Sequence, residues 1–118
     1  MAQNPDLPQK MMTMALHDRT SLYNSYMSFI STGGIFIPTE DAFEVGEEIL
    51  LLLEVMEHAD KFPLKVKVVW INPPHTNGGR PQGIGVAFPK GDVGAQAKAI
   101  IENNLAGLLD HPRPTYTL

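Results

Sequence analysis

Polar and apolar residues alternate along Met11-Met12-Thr13-Met14-Ala15-Leu16, with Met12, Met14 and Leu16 on one side, which predicts a half-buried first strand. The period then changes. Behind Asp18, a residue suited to capping a helix, Leu22, Tyr23, Tyr26, Met27 and Ile30 recur at three- and four-residue steps, predicting a helix of about two turns. Gly33-Gly34 ends that stripe, and Ile35-Phe36-Ile37, stopped by Pro38, predicts a second strand. The run Ile49 to Met56 is rich in leucine yet short and bounded by Gly46 and Pro63, which suits a strand covered on both faces.

The clearest strand signal follows Pro63. Val66, Val68 and Trp70 fall on one face, predicted to be the core, while Lys65 and Lys67 fall on the other. A connection rich in proline and glycine, Asn72 to Gln82, joins this strand to Gly83-Ile84-Gly85-Val86-Ala87-Phe88 and predicts a hairpin. Asp92 is the predicted N-cap of a final helix carrying Val93, Ala97, Ile100, Ile101, Leu105 and Leu108, with Lys98 and Glu102 on its wet side. Pro112 and Pro114 forbid its continuation, so it ends between Gly107 and Asp110. This divides the chain into a loose leader (1–10), one domain (11–110) and an extended tail (111–118). The order of elements lacks the alternation of a parallel βαβ sheet and predicts a curved antiparallel sheet or barrel covered by a helix.

Composition adds mainly exclusions. At 118 residues the chain holds one core, and 43% hydrophobic with 19% charged residues is the balance of an ordinary globular domain. A net charge of −4 supplies no basic field for nucleic acid or an anionic membrane. No apolar run approaches the roughly 20 residues of a membrane span, and the N-terminus does not read as a signal peptide. With no cysteine, a cytoplasmic location and no direct membrane insertion are the expectation.

Candidate chemistry is sparse. His17, His58, His75 and His111 form no metal-binding pair, and the carboxylates from Glu40 to Glu48 lack the ligand pattern of a calcium loop, so no metal and no cofactor is expected. No serine sits in a Gly-x-Ser-x-Gly elbow, and no glycine cluster has phosphate-loop spacing. The reading is a binding protein with no catalytic residue.

The segment Phe29-Ile30-Ser31-Thr32-Gly33-Gly34-Ile35-Phe36-Ile37 resembles the (Asp/Asn)-x-Ser-x-x-Gly element of PilZ domains and the strand after it. Lys67-Val68-Val69-Trp70-Ile71 and Gly83 to Phe88 are similar to that family's final strand pair, and the order of these elements extends the resemblance to most of the chain from Met11 onward. The resemblance is closest to short, single-domain PilZ proteins of type IV pilus biogenesis. It implies a mainly β fold, an antiparallel barrel of about six strands with a short N-terminal helix and a C-terminal amphipathic helix.

A typical member grips cyclic di-GMP with an Arg-x-x-x-Arg segment, whose guanidinium forks meet phosphate or a guanine edge in bidentate fashion. Here Arg19, Arg80 and Arg113 are scattered, and Phe29 stands where Asp or Asn is usual. Losing two such charge-assisted partners removes about 1.5–3 kcal/mol each. Ser31 and Gly34 therefore read as remnants kept for the turn, by a capping hydroxyl and a residue tolerant of positive φ. The resemblance then implies an adaptor of pilus assembly and twitching motility that binds the pilus-extension ATPase (PilB-like) and a degenerate GGDEF-EAL receptor of cyclic di-GMP (FimX-like). The alternative is a direct cyclic di-GMP receptor using Arg19 or Lys10 with Ser31. Candidate partner-binding residues are Tyr23 and Tyr26, with core packing as their alternative, and Arg113, Pro114, Thr115 and Tyr116 of the tail.

Overall fold

A computed structural model describes residues 10–56, 62–74, 80–106 and 116–117. Five strands form one sheet: β1 (Met11–Leu16), β2 (Gly34–Pro38), β3 (Glu48–Val55), β4 (Phe62–Asn72) and β5 (Gly83–Ala87). Helix α1 (Arg19–Ser25) lies between β1 and β2, and α2 (Asp92–Asn104) follows β5. The strand order is β1-β3-β4-β5-β2. This mainly β arrangement agrees with the predicted fold class, with two differences. Five strands pair among the described residues, against about six expected, and β1 runs parallel to β3. A parallel neighbour requires a long crossover, and the stretch holding α1 and β2 provides it.

The inner face follows from the alternation. Along β3, Ile49, Leu51, Leu53 and Val55 are buried while the residues between them are half-exposed. Cross-strand partners Leu64 and Val66 continue this face onto β4, and Met12, Met14 and Leu16 continue it onto β1. Leu22 and Tyr23 of α1, and Ala97 and Ile101 of α2 with Leu105 at its C-cap, close over it.

Trp70 departs from its predicted place. Val68 pairs with Val86 but Trp70 pairs with Gly85, so Val69 is an extra residue in β4 and bulges outward. One inserted residue reverses the alternation. Trp70 therefore lies on the outer face, with Phe36 and Gly85, whereas Val66 and Val68 stay in the inner core. The outer face has a small core of its own, in which Phe36 and Met27 are fully buried. Gly85 permits this, because a Cβ there would come within 2.6 Å of the Met27 sulfur.

The helix ends also differ from expectation. Asp18 caps α1, its carboxylate accepting from the Ser21 N–H at 2.8 Å, but the helix stops at Ser25. Tyr26 is already extended and bridges to Ile35 of β2, so Met27 and Ile30 belong to the following turn. For α2 the N-cap is Gly91, with Asp92 inside the first turn, and the C-cap is Leu105. The predicted stop from Gly107 to Asp110, the leader up to Gln9 and the tail apart from Tyr116 and Thr117 lie outside the described residues. Among the described residues no helix is long and apolar enough to cross a membrane.

Candidate functional site

The Ser-x-x-Gly element is a turn that ties β2 to β5 and α2. Met27 N–H donates to Gly34 C=O at 3.0 Å, and Gly33 N–H donates to Ile30 C=O at 2.8 Å. Phe88 N–H reaches back from beyond β5 to Gly33 C=O at 2.9 Å. Both glycines are required, for different reasons. Gly33 takes the positive φ of 84°. Gly34 has an ordinary backbone, but a Cβ there would sit 2.6 Å from the Val86 carbonyl oxygen. The expected roles are thus corrected: the positive φ belongs to Gly33, and Gly34 answers to close approach.

Ser31 likewise holds the turn by a different atom than expected. Its carbonyl accepts from Lys98 Nζ at 3.2 Å, and among the described residues its hydroxyl caps nothing. Lys98 was expected on the wet side of α2, as was Glu102. Both instead reach the body of the fold, since Glu102 accepts a 2.6 Å hydrogen bond from the Tyr26 hydroxyl. A hollow of about 310 Å³ opens beside the turn, with Ser31 and Thr32 on one wall and Lys90, Gly91, Ala95 and Lys98 on the other.

Phe29, at the position of the usual Asp or Asn, is half-exposed and lies against Trp70 with ring centroids 5.6 Å apart. The bulge at Val69 creates this contact by turning Trp70 outward. Arg19 is spent elsewhere. Its guanidinium donates to the carbonyls of Asn104 at 3.0 Å and Ala106 at 3.2 Å, neutralising the partial charge at the end of α2. Lys10 donates to Ala42 C=O at 3.4 Å and lies 4.5 Å from the centre of the Phe43 ring. Thus neither cation assigned to Ser31 in the direct-receptor alternative makes a contact with it among those described.

Tyr23 and Tyr26 take the core-packing alternative: they are 6% and 3% exposed, and both belong to the inner core. Tyr23 is buried within α1, and Tyr26, in the extended stretch after it, joins the same core. Burial, and then the bond to Glu102, push the Tyr26 phenol well above the ordinary tyrosine range. Among the described residues no group of three or more His, Asp or Glu is placed to hold a metal.

Of the four tail candidates, Arg113, Pro114 and Thr115 lie outside the described residues, but Tyr116 is placed. It sits on the outer face of the sheet, its ring 5.6 Å from that of Phe36. Its N–H donates to Asn24 C=O at 3.0 Å, and its C=O accepts from Asn72 Nδ2 at 2.7 Å. Asn24, Phe36 and Asn72 carried no signal in the sequence that would have singled them out. Asn72 reads as a strand stop, and its amide also bonds Trp70, Pro81 and the returning tail residue.

In comparison with known families, the profile described as PilZ domain matches residues 8–106. No curated protein sequence is matched.

Proposed function

This chain belongs to the PilZ-domain family, a family of cyclic di-GMP receptors and adaptors that generally bind rather than catalyse, and on that premise we propose that it is a non-catalytic adaptor of type IV pilus assembly and twitching motility. In this reading it binds the pilus-extension ATPase and a degenerate GGDEF-EAL receptor in the cytoplasm, and cyclic di-GMP acts through that receptor. The observation that carries it is the use made of the ligand motif. Phe29 is committed to Trp70, Arg19 to the end of α2, and Ser31 presents its carbonyl to Lys98. These residues are engaged in holding the fold together. The half-exposed Phe29 ring and the tail from Arg113 to Tyr116 are then the proposed partner contacts.

Two measurements test the proposal together. Calorimetry of cyclic di-GMP against the isolated chain is expected to show no binding at micromolar concentrations, and Arg19→Ala should lower stability without altering that result. Pull-downs of the full chain against the ATPase and the GGDEF-EAL receptor should recover both, and recovery of neither at low salt would overturn the adaptor reading. The rival reading, a direct receptor, draws on Lys90 and Lys98 around the hollow beside Ser31. Micromolar binding that is lost in Lys98→Ala would favour it.

A further inference from the structure

Asn72 is a buried polar side chain, 5% exposed, at the outer end of β4. Every hydrogen-bonding role of its amide that the fold can use is filled. Its Oδ1 accepts from Trp70 Nε1 at 2.7 Å, and its Nδ2 donates to Pro81 C=O at 3.2 Å and to Tyr116 C=O at 2.7 Å. On the opposite side Asn24 C=O accepts from the Tyr116 N–H at 3.0 Å. Tyr116 is therefore held by both of its backbone groups, from two elements distant in the chain, while its ring rests on the buried Phe36. Thr117, next to it, is 1% exposed. Gly83 lets β2 and Phe36 pack closely beneath the slot, since a Cβ there would meet the Ile37 carbonyl oxygen at 2.3 Å and Phe36 Cζ at 2.6 Å.

Recognition of a residue through its N–H, its C=O and its side chain is how a groove binds a peptide. We propose that this outer-face slot is a docking site for a short tyrosine-bearing segment, filled in the isolated chain by its own Tyr116-Thr117 and exchangeable for the same segment of a second copy of the chain. Tyr116 is held by two backbone hydrogen bonds and one ring contact, and in the proposed exchange the segment opens locally while the core stays closed. Docked, Tyr116 is unavailable to another copy; released, it leaves Phe36 and the Asn72 amide open to the same segment of that copy. The inference stands whether or not the pilus partners are the right ones.

The test uses the full chain with Tyr116→Ala, which removes the resident ring, and a synthetic peptide spanning Arg113 to Leu118. Trp70 is the single tryptophan, and its indole is bonded to the amide that grips the tail, so its fluorescence reports occupancy. Saturable binding by the Tyr116→Ala chain is expected. An alanine-substituted peptide should bind about tenfold more weakly or worse, and so should the unaltered chain, whose own tail competes. A cooperatively folded Tyr116→Ala chain that gives no saturable response, or that binds both peptides equally, would overturn the proposal. Should that variant fail to fold, amide exchange of the unaltered chain decides. Exchange of the Tyr116 amide much faster than that of Val86 supports a tail that opens alone, and exchange only with global unfolding overturns it.

Discussion

Replacing Tyr26 with phenylalanine separates a structural tyrosine from an interface tyrosine. The ring is buried and would stay so, and the change removes only the hydroxyl that donates to Glu102 at 2.6 Å. A hydrogen bond to a charged acceptor contributes about 1.5–3 kcal/mol. Glu102 is half-exposed and regains water when the hydroxyl leaves, so the loss should fall at the lower end, about 1.5 kcal/mol. At about 4 °C per kcal/mol for a domain of this size, the melting temperature should drop by about 6 °C. Tyr26→Ala is less informative, because opening a cavity the size of an aromatic ring costs about 3–5 kcal/mol and confounds binding with folding.

The same bond has a pH signature. The phenol is raised in the folded state, so its contribution is complete below the unfolded tyrosine value of about 10 and is lost as pH climbs above it. Urea denaturation followed by circular dichroism from pH 7 to 11 should show stability declining above pH 10 in the unaltered chain, with a shallower decline in Tyr26→Phe. A double-mutant cycle with Glu102→Gln should give a coupling of about 1 kcal/mol. Tyr26→Phe stability equal to that of the unaltered chain would refute the reasoning, the more so if partner capture were lost.

Two further outcomes follow from the turn and the cap. Gly34→Ala places a methyl 2.6 Å from the Val86 carbonyl oxygen, and the resulting displacement of β2 from β5 should cost about 1–3 kcal/mol in denaturant unfolding. The Ser21 N–H holds the Asp18 carboxyl below its ordinary value. Its stabilisation of α1 is therefore present above about pH 3.9 and lost as pH falls through the lower folded value. Asp18→Asn retains a cap that does not titrate, so the protection factors of α1 amides, corrected for intrinsic exchange, should no longer fall as pH drops below about 3.9.

Most of the inner core was legible because it rests on alternation. Met12, Met14 and Leu16, then Val66 and Val68, lie where a period of two places them. What the pattern missed came from single residues that interrupt a period. The bulge at Val69 has no signature in Val68-Val69-Trp70, because all three residues suit a strand, yet it sends Trp70 to the other face and supplies Phe29 with its neighbour. The stripe Leu22 to Ile30 continues as a helix by spacing, but the chain turns extended at Tyr26, which bridges Ile35. The candidate site was readable as a motif and not as chemistry. Nothing local to Arg19 tells that it folds onto Asn104, or local to Asn72 that Tyr116 returns to it.

The position of β2 at the far edge of the sheet has a consequence during synthesis. Its one strand partner is β5, and Ile35 meets Val86 about 50 residues later. At roughly 5–20 residues per second a ribosome takes about 3–10 s to make that stretch. For that interval Ile35-Phe36-Ile37 has the single bridge from Tyr26 to Ile35 but no strand partner, an apolar strand seeking an edge. The nascent chain is therefore exposed to chaperones, and to other copies of itself, through β2, and that exposure ends when β5 arrives.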